Sequence, residues 1–306
     1  MTKTPLIFGR SGKPLHFLHA NGFPPEAYRT FLSPFTTDYQ VVASYLRPLW
    51  PEEDFQRFLD WTLFRNDLLD FFDHLHAYTQ LDRETWQGPN KVIGMGHSLG
   101  ATVSLMAALQ RPDLFRALVL IEPVLFPPWL SLLLETAGGW GVLERFHPLI
   151  RRTRRRKVRF ASREAMFENY RGKTVFSGLS DRVLRDYVDG LAVQEGKGVR
   201  LAYPPAWEAR IYATAGFHNR QIWEQLPGLK PPVLVIRGET SDTLGRRAVQ
   251  LFQHKLPEAR VRELSGLGHL APLEKPERTA REVDDFLEKV EQMPLPAKQA
   301  GTGEGD

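Results

Sequence analysis

The chain has no cysteine, which excludes disulfides and thiolate metal sites outright. It has no apolar run long enough to span a bilayer. The stretch after Met1-Thr2-Lys3-Thr4-Pro5 is too short for the hydrophobic region of a signal peptide. No internal repeat is visible, and neither sign of charge dominates: 40 Lys and Arg stand against 36 Asp and Glu, a formal net charge of +4. The expectation is a cytoplasmic protein with no metal and no cofactor. With 306 residues and 42% hydrophobic content, the chain can bury one large sheet core, or a core plus an appended subdomain.

The periodicity predicts strands near 5–9, 14–18, 40–45, 91–95, 117–121, 232–237 and 259–264, the last alternating like an edge strand. Helices fall at about 26–32, 55–80, 99–110, 244–255 and 276–291. Strands alternating with helices imply an α/β fold, a mostly parallel sheet with helices on both faces. Gly9-Arg10-Ser11-Gly12-Lys13 joins the opening strand pair as a hairpin-length turn. From Pro123 to Gly228 the alternation stops, with helical segments and no clear strand, as a lid inserted between two sheet strands would look. The organisation expected is a core of 1–122 and 229–292, a helical insertion of 123–228, and a disordered Pro/Gly-rich tail of 293–306.

Gly96-His97-Ser98-Leu99-Gly100 carries the chemistry. Lys91–Met95 before it reads as a buried strand, and the apolar run from Ala101 to Leu109 after it reads as a helix stopped at Arg111-Pro112. A G-x-S-x-G between a strand and a helix is a nucleophile elbow, in which small neighbours permit a sharp turn that exposes the serine hydroxyl. Such a serine needs a base within hydrogen-bond reach and a third group to orient that base. Downstream, Asp242 and His269 lie in polar loops at the carboxyl ends of strands, the end at which open α/β sheets bind ligands. Of the other histidines, His74, His76 and His254 read as surface. His147 and His218 lie in the middle region with nothing to order them relative to Ser98, and His97 packs within the elbow. His269 is the expected base.

These features resemble the α/β-hydrolase superfamily, in its serine-nucleophile, esterase- and lipase-like branch. The resemblance is carried by His19-Ala20-Asn21-Gly22-Phe23-Pro24, Gly96-His97-Ser98-Leu99-Gly100, Gly238-Glu239-Thr240-Ser241-Asp242 and Gly268-His269-Leu270-Ala271-Pro272-Leu273-Glu274-Lys275-Pro276-Glu277. Serine at 98 separates the chain from the epoxide hydrolases and dehalogenases of that superfamily, which place Asp there. The resemblance implies a triad of Ser98, Asp242 and His269. Glu122, at the end of the strand that follows the nucleophile strand, is the alternative acid, because some superfamily members place it there; Glu239 reads as a local cap. The oxyanion donors implied are the backbone N–H groups of Leu99 and Asn21, with Gly22 or Phe23 taking the second place if the loop is shifted.

Two features of the insertion bear on substrate. Pro127-Pro128-Trp129-Leu130-Ser131-Leu132-Leu133-Leu134 is unusually apolar, and Trp129, Leu130 and Leu133 are candidates for the wall of an acyl pocket. Arg151-Arg152-Thr153-Arg154-Arg155-Arg156-Lys157-Val158-Arg159 carries seven cations in nine residues. Without it the chain stands at about −3, so the basic balance is local. No nucleic-acid motif or aromatic interleaving accompanies the run, and no nucleic-acid partner is expected. A solvated face pairing with carboxylates of the insertion such as Glu144, Glu164 and Glu168 is the favoured reading; contact with a membrane surface or a charged substrate is the other. The function expected is hydrolysis of a small-molecule carboxylic ester with an apolar acyl group, through an acyl-enzyme. The alternatives are a non-catalytic binding protein that docks through the basic run, or a C–C hydrolase or perhydrolase using the same triad.

Overall fold

A computed structural model describes residues 3–51, 58–75, 79, 81, 83–86, 91–135 and 147–294. The chain opens with β1 (Leu6–Phe8), β2 (Lys13–Leu18), β3 (Tyr39–Ser44), helix α1 (Thr62–Asp73), β4 (Val92–His97), α2 (Leu99–Gln110) and β5 (Phe115–Ile121). There follow α3 (Pro128–Glu135), α4 (Pro148–Arg154), β6 (Arg159–Phe160), α5 (Arg163–Arg171), α6 (Asp181–Leu191), β7 (Ala192–Glu195), β8 (Gly198–Leu201), α7 (Pro205–Ala213) and α8 (Asn219–Gln225). The chain then returns to the main sheet through β9 (Val233–Gly238), α9 (Arg246–Lys255), β10 (Arg260–Leu264) and α10 (Pro276–Glu291).

The main sheet runs β1-β3-β2-β4-β5-β9-β10. Its strands are parallel except for β1, which pairs antiparallel with β3. The hairpin-length turn therefore does not make a hairpin. β3 lies between β1 and β2, because the short β1 finds its ladder partner on the outer side of β3. β4 and β9 are buried at every residue and β5 at all but Arg116, as strands covered on both faces must be. β10 closes the edge and shows its polar side chains to solvent, which blunts that edge against pairing with another chain.

The helices follow from their apolar spacing. α10 buries Thr279, Ala280, Val283, Phe286, Leu287 and Val290, a stripe at helical period. α2 differs in being buried from Leu99 to Ala108, held between β4, β5 and α1. Its alanines let those elements approach closely. Between β5 and β9 the described residues hold helices and also a three-stranded antiparallel sheet, β6-β8-β7. The sequence reading had no strand there. No helix of the described residues is long and apolar enough to cross a membrane. The last twelve residues of the predicted tail lie outside the described residues.

Buried histidines tie the core to pH. His16, on β2, bonds Ser44 Oγ through Nε2 at 2.8 Å and packs on Phe71 and Phe72. Burial lowers its pKa to about 3 and that of His19 to about 4. A histidine held below its usual value takes up its proton in the unfolded chain first, so stability is lost as pH falls from about 6.5 toward the folded value. The unfolding free energy therefore falls over that window. In His16→Gln the slope between pH 4 and 6, read by urea denaturation, is shallower by about 1.4 kcal/mol per pH unit, one proton's worth. An equal slope in the two proteins contradicts this account of His16.

Candidate active site

Ser98 sits between β4 and α2 with φ 56° and ψ −116°. A non-glycine residue at positive φ is strained and persists only where its surroundings impose it. Here the neighbours do so. A Cβ on Gly96 would lie 2.4 Å from the Gly100 carbonyl carbon, and one on Gly100 would lie 2.0 Å from Leu18 O. Only glycine at both places lets the helix start this close to the strands. The Ser98 N–H donates to Ile121 O at 2.9 Å, so the turn is pinned to the end of β5.

His269 Nε2 lies 2.9 Å from Ser98 Oγ, and its Nδ1 lies 3.1 Å from Glu122 Oε2. A carboxylate only accepts, so the proton belongs on Nδ1 and the Nε2 lone pair faces the serine hydroxyl. That is the tautomer a general base for Ser98 requires. The acid at His269 is thus Glu122, and the expectation of Asp242 is corrected. Asp242 is exposed, and its carboxylate accepts from Thr243 Oγ1 at 3.3 Å. Glu239 is a local cap as expected, accepting from the Gly266 N–H at 2.8 Å.

The physical reason lies in how two loops zip together. Glu122 also has positive φ, 52°. Its N–H donates to Ile236 O at 2.8 Å, while Oε1 accepts from the Gly238 N–H at 2.5 Å. Ser241 Oγ donates to Oε2, beside His269. The same Ser241 oxygen accepts from the N–H groups of Thr243 and Leu244, a tight turn that leaves Asp242 in solvent. A Cβ on Gly238 would lie 2.4 Å from Gly268 O. With Thr240 N and Oγ1 both bonded to Leu267 O, that contact draws the His269 loop over the end of β9.

Three further residues hold the arrangement: His97, expected to pack within the elbow, and Tyr28 and Thr102, which the sequence does not mark. His97, fully buried, donates from Nε2 to His269 O at 2.8 Å and accepts from Tyr28 OH at Nδ1, 2.7 Å. Tyr28 OH in turn accepts from the Ala20 N–H at 3.3 Å. Burial keeps His97 far below its usual pKa, so this chain of bonds stays in its neutral form. It joins the 19–23 loop, the elbow and the histidine loop. Thr102 Oγ1 accepts from the Val124 N–H at 2.8 Å, tying α2 to the segment just past Glu122. The pattern Ser241-Asp242-Thr243-Leu244 carries a readable turn signal; Tyr28 and Thr102 carry none.

In the loop after β2, the Ala20 N–H is taken by Tyr28, that of Phe23 by Ala20 O, and that of Gly22 lies against the Tyr203 hydroxyl. Among the described residues nothing accepts from the Asn21 N–H. Its side chain is fixed instead, with Nδ2 donating to Glu208 O and Oδ1 accepting from Tyr203. The Leu99 N–H heads α2, where no helical carbonyl precedes it. Elsewhere the expectations fare differently. Trp129 is 61% exposed, Leu130 is half-buried, and the Leu133 side chain lies outside the described residues. Two arginines of the run do pair with carboxylates of the insertion, Arg156 with Glu208 and Arg159 with Glu195, while Glu164 pairs with Arg185 instead and Glu144 lies outside the described residues.

The fold and this arrangement define a class, and the comparisons agree with it. Residues 17–282 match the Alpha/beta hydrolase family, and the chain belongs to that family. It is 23% identical over 275 residues to the uncharacterized hydrolase YugF of Bacillus subtilis (strain 168), covering 87% of this chain and 88% of that protein. It is 29% identical over 121 residues to the strigolactone esterase RMS3 of Pisum sativum, a match spanning 38% of this chain and 40% of the pea protein. The crystal structure of E-2-(acetamidomethylene)succinate hydrolase superposes with a TM-score of 0.72 at 19% identity, over 92% of this chain and 93% of that one.

The two carboxylates are separable by mutation. Glu122→Gln keeps the shape but turns an amide N–H₂ toward groups that donate, and it slows phosphonylation of Ser98 by a small fluorophosphonate on the order of 10³–10⁴-fold. Asp242→Asn, a surface change, alters that rate by no more than about twofold. Rates of labelling read by mass spectrometry check both; the reverse ranking overturns the assignment of the acid.

Proposed function

We propose that the protein is a serine hydrolase that cleaves a carboxylic ester. The reading rests on one observation, the hydroxyl, imidazole and carboxylate of Ser98, His269 and Glu122 in hydrogen-bond series at 2.9 and 3.1 Å. On this reading His269 Nε2 takes the Ser98 proton as Oγ attacks the carbonyl carbon. The Glu122 carboxylate stabilises the imidazolium so formed. The tetrahedral oxyanion faces the N–H groups of Leu99 and Asn21, and a donor placed for charge that develops only there is typically worth about 3 kcal/mol. Collapse returns the proton to the leaving alcohol, and water activated by the same imidazole releases the acid.

The insertion, 123–228, acts as the cap over this site. The acyl group is proposed to be apolar, and the support for that is Phe23, next to the donor loop, with Phe176 and Tyr187 packed on it at ring distances of 6.1 and 5.1 Å. Burial there contributes about 0.8 kcal/mol per CH₂. An esterase among the similar sequences is in keeping with acyl transfer to water.

Ser98→Ala removes one small hydroxyl, and it abolishes both turnover of p-nitrophenyl esters and fluorophosphonate labelling while leaving the thermal midpoint within a few degrees. His269→Ala costs nearly as much, since the members of such a unit do not contribute additively. Turnover that survives Ser98→Ala sinks the proposal, and a wild-type chain inert to the phosphonate favours a binding protein instead.

A further inference from the structure

A cleft of about 740 Å³ opens in the insertion, a size suited to a small organic ligand. Its lining includes Gly22 and Phe23 of the donor loop and the apolar Leu149, Val175 and Phe176. The charged part of the wall is almost all cationic: Arg151, Arg152, Arg155, Arg156, Lys157 and Lys173, against a single carboxylate, Glu208. That carboxylate is already committed to Arg156, which also donates to Tyr170 and Tyr187 at 2.8 and 3.0 Å. Among the described residues no carboxylate pairs with Arg151, Arg152 or Arg155, whose side chains are exposed at the rim. Lys173, half-buried beside them, is held below its usual pKa by burial and by the charges of Arg156 and Arg152. Among the described residues, the charges of Arg151, Arg152 and Arg155 thus meet no carboxylate in the cleft wall.

The cleft is also tied to the loop of the proposed oxyanion donor. Glu208, whose side chain holds Arg156, accepts at its backbone carbonyl from Asn21 Nδ2 at 3.1 Å. Gly22 backs directly onto the Glu208 carboxyl, where a Cβ would come within 3.0 Å of Cδ. The basic wall and the proposed oxyanion donor are therefore two sides of one packed unit. The charges at the end of α4 complement its dipole, yet that role does not require them to line a concave wall that the donor loop shares.

We propose that this cleft binds the remote end of the substrate through an anionic group, a carboxylate or a phosphate, so that the ester cleaved is one whose apolar body ends in a negative charge. The proposal rests on the serine-hydrolase reading for the word substrate, while the anion site itself does not. Guanidinium groups suit such ligands because their paired N–H groups match the oxygens of a carboxylate or phosphate two at a time. Rim-exposed charges are individually weak, which is why several are needed.

The test compares p-nitrophenyl hydrogen glutarate with its neutral methyl ester, p-nitrophenyl methyl glutarate. The proposal expects kcat/KM for the charged ester to exceed that for the neutral one by about tenfold at low salt, and the ratio to shrink in 0.5 M NaCl, where the screening length is only a few ångströms. In Arg152→Gln/Arg155→Gln the ratio, taken within the variant so that any general loss cancels, falls toward one. The corresponding phosphonobutanoate ester separates phosphate from carboxylate recognition by which ester gains more over the neutral one. A ratio at or below one in the wild type, or a preference untouched by the double substitution, overturns the proposal. Calorimetry with glutarate and with inorganic phosphate on the full chain carrying Ser98→Ala keeps the two claims apart: arginine-dependent binding there, beside a wild type that hydrolyses no ester, supports the cleft and rejects the hydrolase reading. Arginine-dependent binding to phosphatidylglycerol vesicles without any preference for the charged ester assigns the charge to a membrane surface and rejects the substrate site.

Discussion

The Glu122 carboxylate, with no exposure to solvent, is the point on which the site turns. A buried carboxylate is costly unless its oxygens are matched by donors. Here the Gly238 N–H, the Ser241 hydroxyl and the His269 ring supply them. Each donor comes from a different part of the β9–β10 region, so the same bonds that offset desolvation also fix where the histidine loop lies. The backbone of Glu122 is held as firmly, through Ile236 O. Orientation of the base and closure of the sheet's end are one set of interactions.

Strain is placed to match. The two non-glycine residues at positive φ among the described residues are Ser98 and Glu122, at the ends of the adjacent strands β4 and β5. Each costs of order 1–3 kcal/mol, and each is over-determined by its neighbours: Ser98 by the Gly96–Gly100 contact and Ile121 O, Glu122 by β9. The link through His97 and Tyr28 then couples the histidine loop to the donor loop, so that proposed nucleophile, base and oxyanion donors share one rigid frame. Positioning of this kind lets catalytic geometry exist before substrate arrives.

Much of this was legible in the residues. Central parallel strands are covered on both faces, so Val92–Met95, Ala117–Ile121 and Val233–Ile236 stand out as apolar runs, and α2 and α10 fall where their spacing places them. Ser98 and His269 are marked by local chemistry that glycine permits. The acid was not legible, because the choice between Glu122 and Asp242 depends on how the 238–241 and 264–268 loops zip together, and on a serine turn that faces Asp242 outward. Strand order hides for a similar reason: β1 reaches β3 across the sheet, and no local pattern encodes that. The insertion's small sheet was overlooked because its strands are short, though Glu195-Gly196-Lys197-Gly198, with Gly196 at positive φ, carried a hairpin signal. Trp129, 61% exposed at the start of α3, shows a related limit. An apolar run reads as a wall, but position decides which way it faces.

The central claim is that one proton sits between His269 Nδ1 and the Glu122 carboxylate, leaving Nε2 free for Ser98. Proton NMR of the protein with ¹⁵N-labelled histidine tests it most directly, because a strongly hydrogen-bonded ring N–H resonates far downfield of the amides. The account predicts such a resonance, attached to Nδ1 of His269, in the wild type and in Asp242→Asn, and its loss in Glu122→Gln. A resonance that persists in Glu122→Gln and vanishes in Asp242→Asn contradicts it.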